Sequence, residues 1–214
     1  MRILLCAATE MEISPTIHSL SLRDGHEVNF LITGIGMMPS AFALTKEVVT
    51  NRPEVIIQAG LAGSLHTDVS LAGVVQVKTE CIGDMGVQEK DFRSVFDLSL
   101  LSAVSPPWKD GKLVNESSFP ATVDLPVVNG VTVNEITTNE GRINYYRNSL
   151  GADVESMEGA ALHYIAILEK IPFLQIRSFS NFIGERDKQQ WKMKESITSL
   201  NQALQMILTK LEVI

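Results

Sequence analysis

Short apolar segments alternate with helical segments along most of the chain, and this alternation limits the possible folds more than any other feature. The apolar runs that are typical of buried strands cover residues 2–7, 28–33, 55–58, 74–81, 127–133 and 173–179. The intervening and terminal segments with helical character cover residues 9–18, 39–50, 139–149, 157–170 and 196–211. Strands that alternate with helices favour a largely parallel sheet with helices on both faces. We therefore predict an α/β fold, a three-layer αβα sandwich around a central mixed, largely parallel sheet.

Length and composition restrict the kind of protein further. The chain has 214 residues, which suits a single domain spanning 1–214. Its net charge of −7 argues against general nucleic-acid binding, which favours clustered Lys and Arg. No window approaches the roughly 18 consecutive apolar residues of a membrane span. With no secretory signal, the two cysteines, Cys6 and Cys81, indicate a cytoplasmic protein with reduced thiols.

The four histidines are scattered and the cysteines are distant, so the sequence offers no metal-ligand spacing. We expect no metal and no cofactor, and we expect most of the histidines to lie on the surface. Cys6 falls within an apolar run, so we expect it to pack in the core.

In open α/β sheets, ligands bind beyond the carboxyl ends of the strands. That rule directs attention to residues 8–12, 34–36, 60–64 and 178–181. The Gly34-Ile35-Gly36 turn resembles part of a dinucleotide fingerprint, but Pro39 occupies the place of the third glycine. The glycines at 34–36 and 60–63 therefore have two interpretations, tight turns or positions where backbone approaches a ligand.

Three polar residues near predicted strand or helix ends each have a structural and a functional interpretation. Glu158 lies near a helix start, where a carboxylate is favoured by the helix dipole, but it could also accept hydrogen bonds from a ribose diol. Arg177 interrupts an apolar strand and needs a partner, in a structural ion pair or in a site. Asn181 follows the same strand and is either a turn residue or an amide that contacts a purine edge.

These segments occur in an order that resembles the nucleoside phosphorylase/nucleosidase superfamily, and in particular its methylthioadenosine/S-adenosylhomocysteine nucleosidase branch. The motifs that carry the resemblance are Ala-Thr-Glu-Met-Glu at 8–12, Gly-Ile-Gly at 34–36, Ala-Gly-Leu-Ala-Gly-Ser at 59–64, Val-Glu-Ser-Met-Glu-Gly-Ala-Ala at 154–161 and Arg-Ser-Phe-Ser-Asn at 177–181. The resemblance covers most of the chain and is weakest over 85–125. Within the branch, the sequence is most similar to the futalosine hydrolases.

The resemblance implies catalytic roles for matched positions. Glu12 would be the general base that activates water, and Arg177 would orient the water and the carboxylates. Ser180 would support its neighbour Asn181. The adenine-specific members carry an Asp at the position of Asn181, which protonates the leaving base. An amide cannot deliver a proton in this way, but it can donate a hydrogen bond to a 6-oxopurine and stabilise charge on the leaving base.

The resemblance also implies a substrate-binding set. Glu158 would hold the ribose 2′- and 3′-hydroxyls, with Met157 packing on the sugar. The backbone at Leu61, Ala62 and Gly63 would line the base and ribose pocket.

These residues favour hydrolysis of the N-glycosidic bond of futalosine, which carries hypoxanthine. Alternatives remain open: a methylthioadenosine/S-adenosylhomocysteine or 6-amino-6-deoxyfutalosine nucleosidase, a purine nucleoside phosphorylase, or a non-catalytic nucleoside sensor. The resemblance further implies a homodimer or higher homo-oligomer. The sequence does not identify the 5′ substituent of the substrate, and it leaves Trp191 as either a lid residue or a core residue.

Overall fold

The computed structural model of the protein describes residues 1–117, 119 and 124–214. Its strands, in chain order, are β1 (Arg2–Ala7), β2 (Glu27–Ile32), β3 (Val55–Ser64), β4 (Val74–Ile82), β5 (Gly86–Gln88), β6 (Phe92–Ser94), β7 (Leu113–Val114), β8 (Val127–Thr132), β9 (Val154–Ser156) and β10 (Phe173–Phe182). Its α-helices are α1 (Glu10–Ser19), α2 (Met37–Asn51), α3 (Glu140–Asn144), α4 (Gly159–Glu169) and α5 (Met193–Lys210). A π-helical turn, Tyr145–Ser149, continues α3, and a 3-10 turn, Lys188–Gln190, precedes α5.

The main sheet is mixed and partly closed on itself. Its strands follow the order β10-β4-β8-β9-β3-β1-β2, and β10 also pairs with β3. The pairs β1–β2, β1–β3, β3–β10, β4–β8 and β8–β9 are parallel, whereas β4–β10 and β3–β9 are antiparallel. The long strand β3 therefore joins an open edge, formed by β1 and β2, to a closed ring formed with β10, β4, β8 and β9.

Helices cover both faces of this sheet, which confirms the predicted αβα arrangement. On one face α1 and α5 enclose a core that includes Leu5, Ile57, Leu174 and Leu204. On the other face α2 and α4 enclose a second core, in which Cys6 is fully buried as predicted.

The first helix illustrates how local sequence fixes an element. Thr9 is its N-cap, and Glu12, three residues later, completes a capping box. Asn201 of α5 donates a hydrogen bond to the backbone oxygen of Glu12 and accepts one from the Thr16 hydroxyl. These bonds clamp α1 to α5 and hold the start of α1 at the end of β1.

Two predicted boundaries were wrong in ways that matter for the site. The segment 59–64 is not a turn but the second half of β3, and Asn181 lies within β10 rather than beyond it. A register shift in the β3–β10 pairing, between Phe179 and Asn181, keeps both strands paired to their ends. The short strand β9 falls where the sequence suggested only the approach to a helix.

The segment 83–125 contains the β5–β6 hairpin and β7, and its other described residues form loops and turns. Residues 118 and 120–123 lie outside the described residues. Within the described part of the chain, no helix combines the length and apolarity needed to cross a membrane.

Candidate active site

A cavity of about 420 Å³ opens where β1, β3 and β10 end and α4 begins. It is lined by all but one of the predicted site residues: Glu12, Leu61, Ala62, Gly63, Met157, Glu158, Ser180 and Asn181. The remaining one, Arg177, is fully buried and contacts Glu158 from below. The structure therefore brings together residues that are up to 169 positions apart in sequence (Glu12 and Asn181), at the sheet edge where the topology rule places a ligand.

Glu12 is held rigidly at one end of this cavity. The backbone N–H and the hydroxyl of Thr9 donate to Oε2 of Glu12, at 2.8 and 2.9 Å. The backbone N–H of Leu61 donates to Oε1 at 3.0 Å. The capping carboxylate of α1 is thus also a carboxylate that faces the cavity, with free lone pairs on both oxygens.

Glu158 is held by a different set of donors. It is the N-cap residue of α4, not a residue of its first turn, and only 5% of its surface is exposed. The backbone N–H of Gly36 donates to its Oε1 at 2.9 Å, and Nη1 of Arg177 lies 3.8 Å from its Oε2. Nη2 of Arg177 donates to Oε1 of Gln58 at 2.8 Å. The buried guanidinium is therefore fixed beneath the ribose-binding candidate by a strand residue.

The glycines of the site turn out to serve two purposes. Gly34 and Gly36 have φ angles of 82° and 98°, so the Gly34–Gly36 segment is a tight turn that only glycine adopts easily, and it also presents the N–H that binds Glu158. Gly60 lies in an extended strand instead. A Cβ there would overlap Nη1 of Arg177 and stand 3.1 Å from Oε1 of Glu12. Its lack of a side chain lets the guanidinium pass between the carboxylates.

Asn181 is oriented by its neighbours in β10. The Ser180 hydroxyl donates to Oδ1 of Asn181 at 2.8 Å, and Nδ2 donates to the Phe182 carbonyl at 3.0 Å. Rotating the amide by 180° would set Oδ1 against a carbonyl, so the hydrogen-bond pattern fixes its orientation. One N–H of Nδ2 and one lone pair of Oδ1 remain for a ligand.

Sequence reasoning missed several residues of the cavity. Glu155 and Ser156 from β9 line it, as do Ile136 and Ile183. Trp191 also lines it, which decides between the two roles left open for that residue. Its indole N–H donates to the Glu185 carbonyl at 3.3 Å, and the Arg186 guanidinium stacks 5.5 Å from the ring centroid. An isolated aromatic residue in a polar segment was the only signal for this contact.

A second missed feature is a buried polar cluster under the start of α4. Glu80 of β4 is fully buried, accepting from Nε2 of Gln175 at 2.8 Å and from the Thr132 hydroxyl at 2.9 Å. The Thr132 oxygen in turn accepts from the backbone N–H of Ala160 at 2.8 Å. A Cβ at Gly159 would overlap Oε1 of Glu80. The carboxyl group therefore packs directly against the first turn of the helix that carries Glu158.

Burial raises the pKa of Glu80 from 4.5 to about 7, against smaller lowering effects of Gln175 and Arg177. A raised folded-state pKa stabilises the fold at low pH, and this contribution is lost as pH rises from about 4.5 to about 7. We expect Glu80→Gln to remove this pH dependence. Relative to the variant, the wild type should lose on the order of 3 kcal/mol of unfolding free energy across that window. Urea titrations of both proteins between pH 4.5 and 8 measure it, and parallel curves would show that Glu80 does not titrate there.

One histidine departs from the surface location that was expected for most of them. His163 of α4 is completely buried, and its Nδ1 lies 3.1 Å from the Leu113 carbonyl. Burial lowers the pKa of His163 to about 3, so the ring is neutral. It packs edge-on against Phe173 and acts as a core residue, whereas His18 is exposed as expected.

The chain has a larger cleft, of about 650 Å³, between the β5–β6 hairpin and α3. Two cations, Lys90 and Arg142, line this cleft. Arg142 is already engaged: it donates to Gln88 and to the Gly83 carbonyl and stacks 3.9 Å from the Phe92 ring centroid. None of the predicted site residues lines this cleft. We therefore assign the active site to the smaller cavity.

Two anchored carboxylates, a buried arginine and an oriented amide around one cavity, on a mixed sheet between helical layers, define the class of nucleoside phosphorylases and nucleosidases. The chain belongs to the Phosphorylase superfamily, whose family model matches residues 13–211. The superfamily resemblance and the fold predicted from the sequence are both confirmed.

Relatives and solved structures agree with this assignment. The futalosine hydrolase of Thermus thermophilus is 27% identical over 191 residues, covering 85% of this chain and 81% of the relative. A 5′-methylthioadenosine/S-adenosylhomocysteine nucleosidase of Bacillus cereus is 29% identical over 189 residues, covering 86% and 76%. The structure of the Helicobacter pylori futalosine hydrolase superposes with a TM-score of 0.83 at 14% identity, covering 98% of both chains. That last likeness establishes the fold alone.

Proposed function

We propose that this protein is a nucleosidase that hydrolyses the N-glycosidic bond of futalosine, releasing hypoxanthine and dehypoxanthine futalosine in menaquinone biosynthesis. The observation that carries the proposal is an oriented amide, Asn181, in the same cavity as the carboxylates of Glu12 and Glu158. The futalosine hydrolases of Thermus thermophilus and Streptomyces coelicolor, each 27% identical, support the choice of substrate.

The leaving base would be stabilised by Asn181. As the bond between the sugar C1′ and the base N9 breaks, its electron pair moves onto the purine, and the free N–H of Nδ2 donates to N7 or O6. A donor that is already oriented does not have to reorganise while charge develops, which makes such a contact effective in the transition state. The Ser180 hydroxyl provides that orientation.

The two carboxylates would bind the sugar and activate the water. Glu158 accepts hydrogen bonds from the ribose 2′- and 3′-hydroxyls and places negative charge near the oxocarbenium-like sugar, with Met157 packing on the ring. Glu12 takes a proton from the water that attacks C1′ and then releases it to solvent, and the departing purine anion takes up a proton from solvent to become hypoxanthine. Arg177 keeps Glu158 in place from below.

The positions of the arginines favour hydrolysis over phosphorolysis. A phosphate site needs cationic or N–H donors that converge on the anion. Arg23, Arg52 and Arg93 do not line the cavity, and Arg177 is already bonded to Gln58. Arg186 does line it, but its guanidinium lies over the Trp191 ring, and no second arginine of the cavity lining converges with it. Turnover in H₂¹⁸O tests this choice: hydrolysis puts ¹⁸O on the sugar C1′ hydroxyl without any phosphate, whereas a phosphorolytic enzyme would require phosphate and form a sugar phosphate. A non-catalytic sensor would return the bound nucleoside intact.

Base preference provides a mutational test. Asn181→Asp introduces a group that can carry the proton that an adenine leaving group needs, in place of an amide that cannot. We expect the ratio of kcat/KM for futalosine to that for methylthioadenosine to fall by a factor of roughly 10²–10⁴. Steady-state kinetics with both nucleosides measure it, and Asn144→Asp, outside the cavity, is the control. An unchanged ratio would remove Asn181 from base recognition.

We further propose that the protein assembles as a homodimer through α2. Met38, Phe42 and Val49 of this helix are 82%, 72% and 75% exposed. Ile35, which lies in the turn before the helix and lines the cavity, is 62% exposed. Exposed apolar residues grouped in this way are typical of interaction sites. Sedimentation analysis measures the assembly, and a monomer at micromolar concentration would contradict it.

We infer a cytoplasmic location from cysteine chemistry. Both Cys6 and Cys81 are free and buried, as expected of thiols in a reducing compartment. Burial raises the pKa of Cys6 to about 12 and that of Cys81 to about 11, so neither is a nucleophile at neutral pH.

A further inference from the structure

The buried polar cluster under the start of α4 sets two hydrogen-bond acceptors against each other. Nδ1 of His163 lies 3.1 Å from the Leu113 carbonyl, so Nδ1 carries the hydrogen and Nε2 of the neutral ring is an acceptor. The Gln175 side chain lies within hydrogen-bonding reach of the same ring. Its Nε2 is directed at Glu80, which leaves its Oε1 toward Nε2 of His163. Among the described residues, neither of these two buried atoms has a hydrogen-bond partner.

Moving hydrogens on the ring alone does not remove this conflict. The other neutral tautomer would direct a lone pair of Nδ1 at the Leu113 carbonyl, and a charged ring is excluded because burial lowers the pKa of His163 to about 3. Rotating the Gln175 amide by 180° directs an N–H at Nε2 of His163, but it also sets the amide oxygen against Oε1 of Glu80, at the present N···O distance of 2.8 Å. Two oxygens at that separation require a hydrogen between them.

Only Glu80 can supply that hydrogen. The backbone N–H of Ala160 donates to the Thr132 oxygen, so the Thr132 hydroxyl is free to donate its own hydrogen to Oε2 of Glu80. Oε2 is therefore an acceptor, and a proton on the carboxyl group sits on Oε1. With that proton in place, every one of these atoms has a partner. The donors then run in one direction through the cluster: Ala160 to Thr132, Thr132 to Glu80, Glu80 to Gln175, Gln175 to His163 and His163 to the Leu113 carbonyl.

The groups around Glu80 are consistent with a neutral acid. The carboxyl group is fully buried, and burial raises its pKa to about 7. The cation Arg177 of β10 opposes this shift, and the anion Glu158 of α4 reinforces it. Cys81 on the same strand is a neutral thiol, and His163 of α4 is a neutral ring. A hydrogen bond accepted by the Gln175 amide oxygen favours the neutral acid further.

The chain of hydrogen bonds ends at the helix that carries the candidate ribose ligand. Glu158 is the N-cap of α4, and Ala160, whose N–H begins the chain, is the second residue of that helix. A Cβ at Gly159 would overlap Oε1 of Glu80, so the acid packs directly against the backbone of this turn. Ionising Glu80 would break the chain and place a second negative charge near Glu158. The alignment of Glu158 therefore depends on the proton of Glu80.

We propose that Glu80 is a positioning residue that works as a neutral acid, donating from Oε1 to the Gln175 amide oxygen and so fixing the start of α4 where Glu158 binds the ribose. The catalytic part of this inference rests on the proposed function. The proton on Glu80 and the orientation of Gln175 do not, and they can be measured without a substrate.

NMR on the free protein tests the proton. With ¹³C-labelled glutamate carboxyl groups, one resonance that is absent from Glu80→Gln should have the chemical shift of a neutral acid at pH 6. Glu10→Gln, which removes an exposed carboxylate, should leave that resonance in place. Ring ¹⁵N spectra should show the Nδ1–H tautomer at His163. An ionised Glu80 at pH 6, or an Nε2–H tautomer at His163, would overturn the proposal.

Kinetics test the positioning role. Glu80→Gln puts an N–H where the neutral acid has an O–H, so it should keep kcat/KM for futalosine within about threefold of wild type at pH 6. Glu80→Leu, which breaks the chain, should lower it by roughly tenfold or more. At the alkaline pH where NMR shows Glu80 ionised, the wild type should fall at least about tenfold below Glu80→Gln, whose side chain does not titrate.

The outcomes separate this proposal from the proposed function. A loss of tenfold or more in Glu80→Gln at pH 6, or a ratio of wild type to Glu80→Gln that stays constant through the ionisation of Glu80, would overturn the positioning role. If Glu80→Leu does not fold, the pH profile of that ratio decides. A neutral Glu80 in a protein that releases base from no nucleoside would support the hydrogen-bond chain and contradict the nucleosidase.

Discussion

Glu12→Gln should lower kcat for futalosine by a factor of roughly 10²–10⁴, with a much smaller change in KM. The substitution keeps the shape of the side chain but removes the carboxylate that takes the proton from water. The amide NH₂ would also face either the donors of Thr9 or the backbone N–H of Leu61, so a stability loss of about 1–3 kcal/mol is expected. Steady-state kinetics and thermal unfolding measure the two effects separately.

Glu10→Gln is the matched control, because Glu10 is an exposed acid in the same first turn of α1. It changes the helix-dipole interaction by a few tenths of a kcal/mol and should leave kcat unchanged. If Glu12→Gln turned over futalosine at the wild-type rate, Glu12 would be only the capping residue of α1. The general base would then have to be another residue of the cavity.

Arg177→Met should have the largest effect on stability and should also lower activity. It removes a fully buried cation beside Glu158 and leaves that carboxylate, only 5% exposed, without its partner. Breaking a buried pair by removing one member typically costs about 3–5 kcal/mol. We expect a loss of that size in the free energy of unfolding, and a fall of at least roughly 10²-fold in kcat/KM as Glu158 loses its alignment with the ribose.

Arg52→Met provides the comparison, since Arg52 forms an exposed ion pair with Glu169 at 3.0 Å. Exposed pairs contribute about 0–1 kcal/mol, and this one lies outside the cavity, so kcat/KM should not change. Denaturant unfolding and kinetics on both variants compare the two arginines directly. Equal stability losses would contradict the assignment of Arg177 as the cation that supports Glu158.

Local patterns in the sequence located much of the fold, and the family resemblance named most of the residues that the structure brings together at the candidate site. The apolar runs located β1, β2, β4, β8 and β10 within a few residues, whereas β3 runs six residues beyond its apolar run. The order of motifs pointed to Glu158, Arg177 and Asn181, whose positions at neighbouring strand and helix ends follow from the parallel topology. These features depend on residues that are close in sequence, which is why they could be predicted.

The features that were missed depend on pairing between distant segments. Three residues, Val154–Ser156, form β9 only because Gly63 and Ser64 of β3 and the end of β8 pair with them. That pairing directs the Glu155 side chain into the cavity. The continuation of β3 through Gly60 was hidden because glycines usually mark turns, whereas here Arg177 requires the absence of a side chain. The burial of Glu80 and His163 likewise reflects tertiary packing that no local pattern records.

The most direct test of the account is a phosphate-free assay of the purified protein with futalosine, inosine and methylthioadenosine, following the released base by chromatography. We expect hypoxanthine from futalosine at a kcat/KM well above that for the other two nucleosides. Adenine released from methylthioadenosine in preference to hypoxanthine from futalosine would contradict the proposed role of Asn181, and release that requires added phosphate would contradict hydrolysis itself.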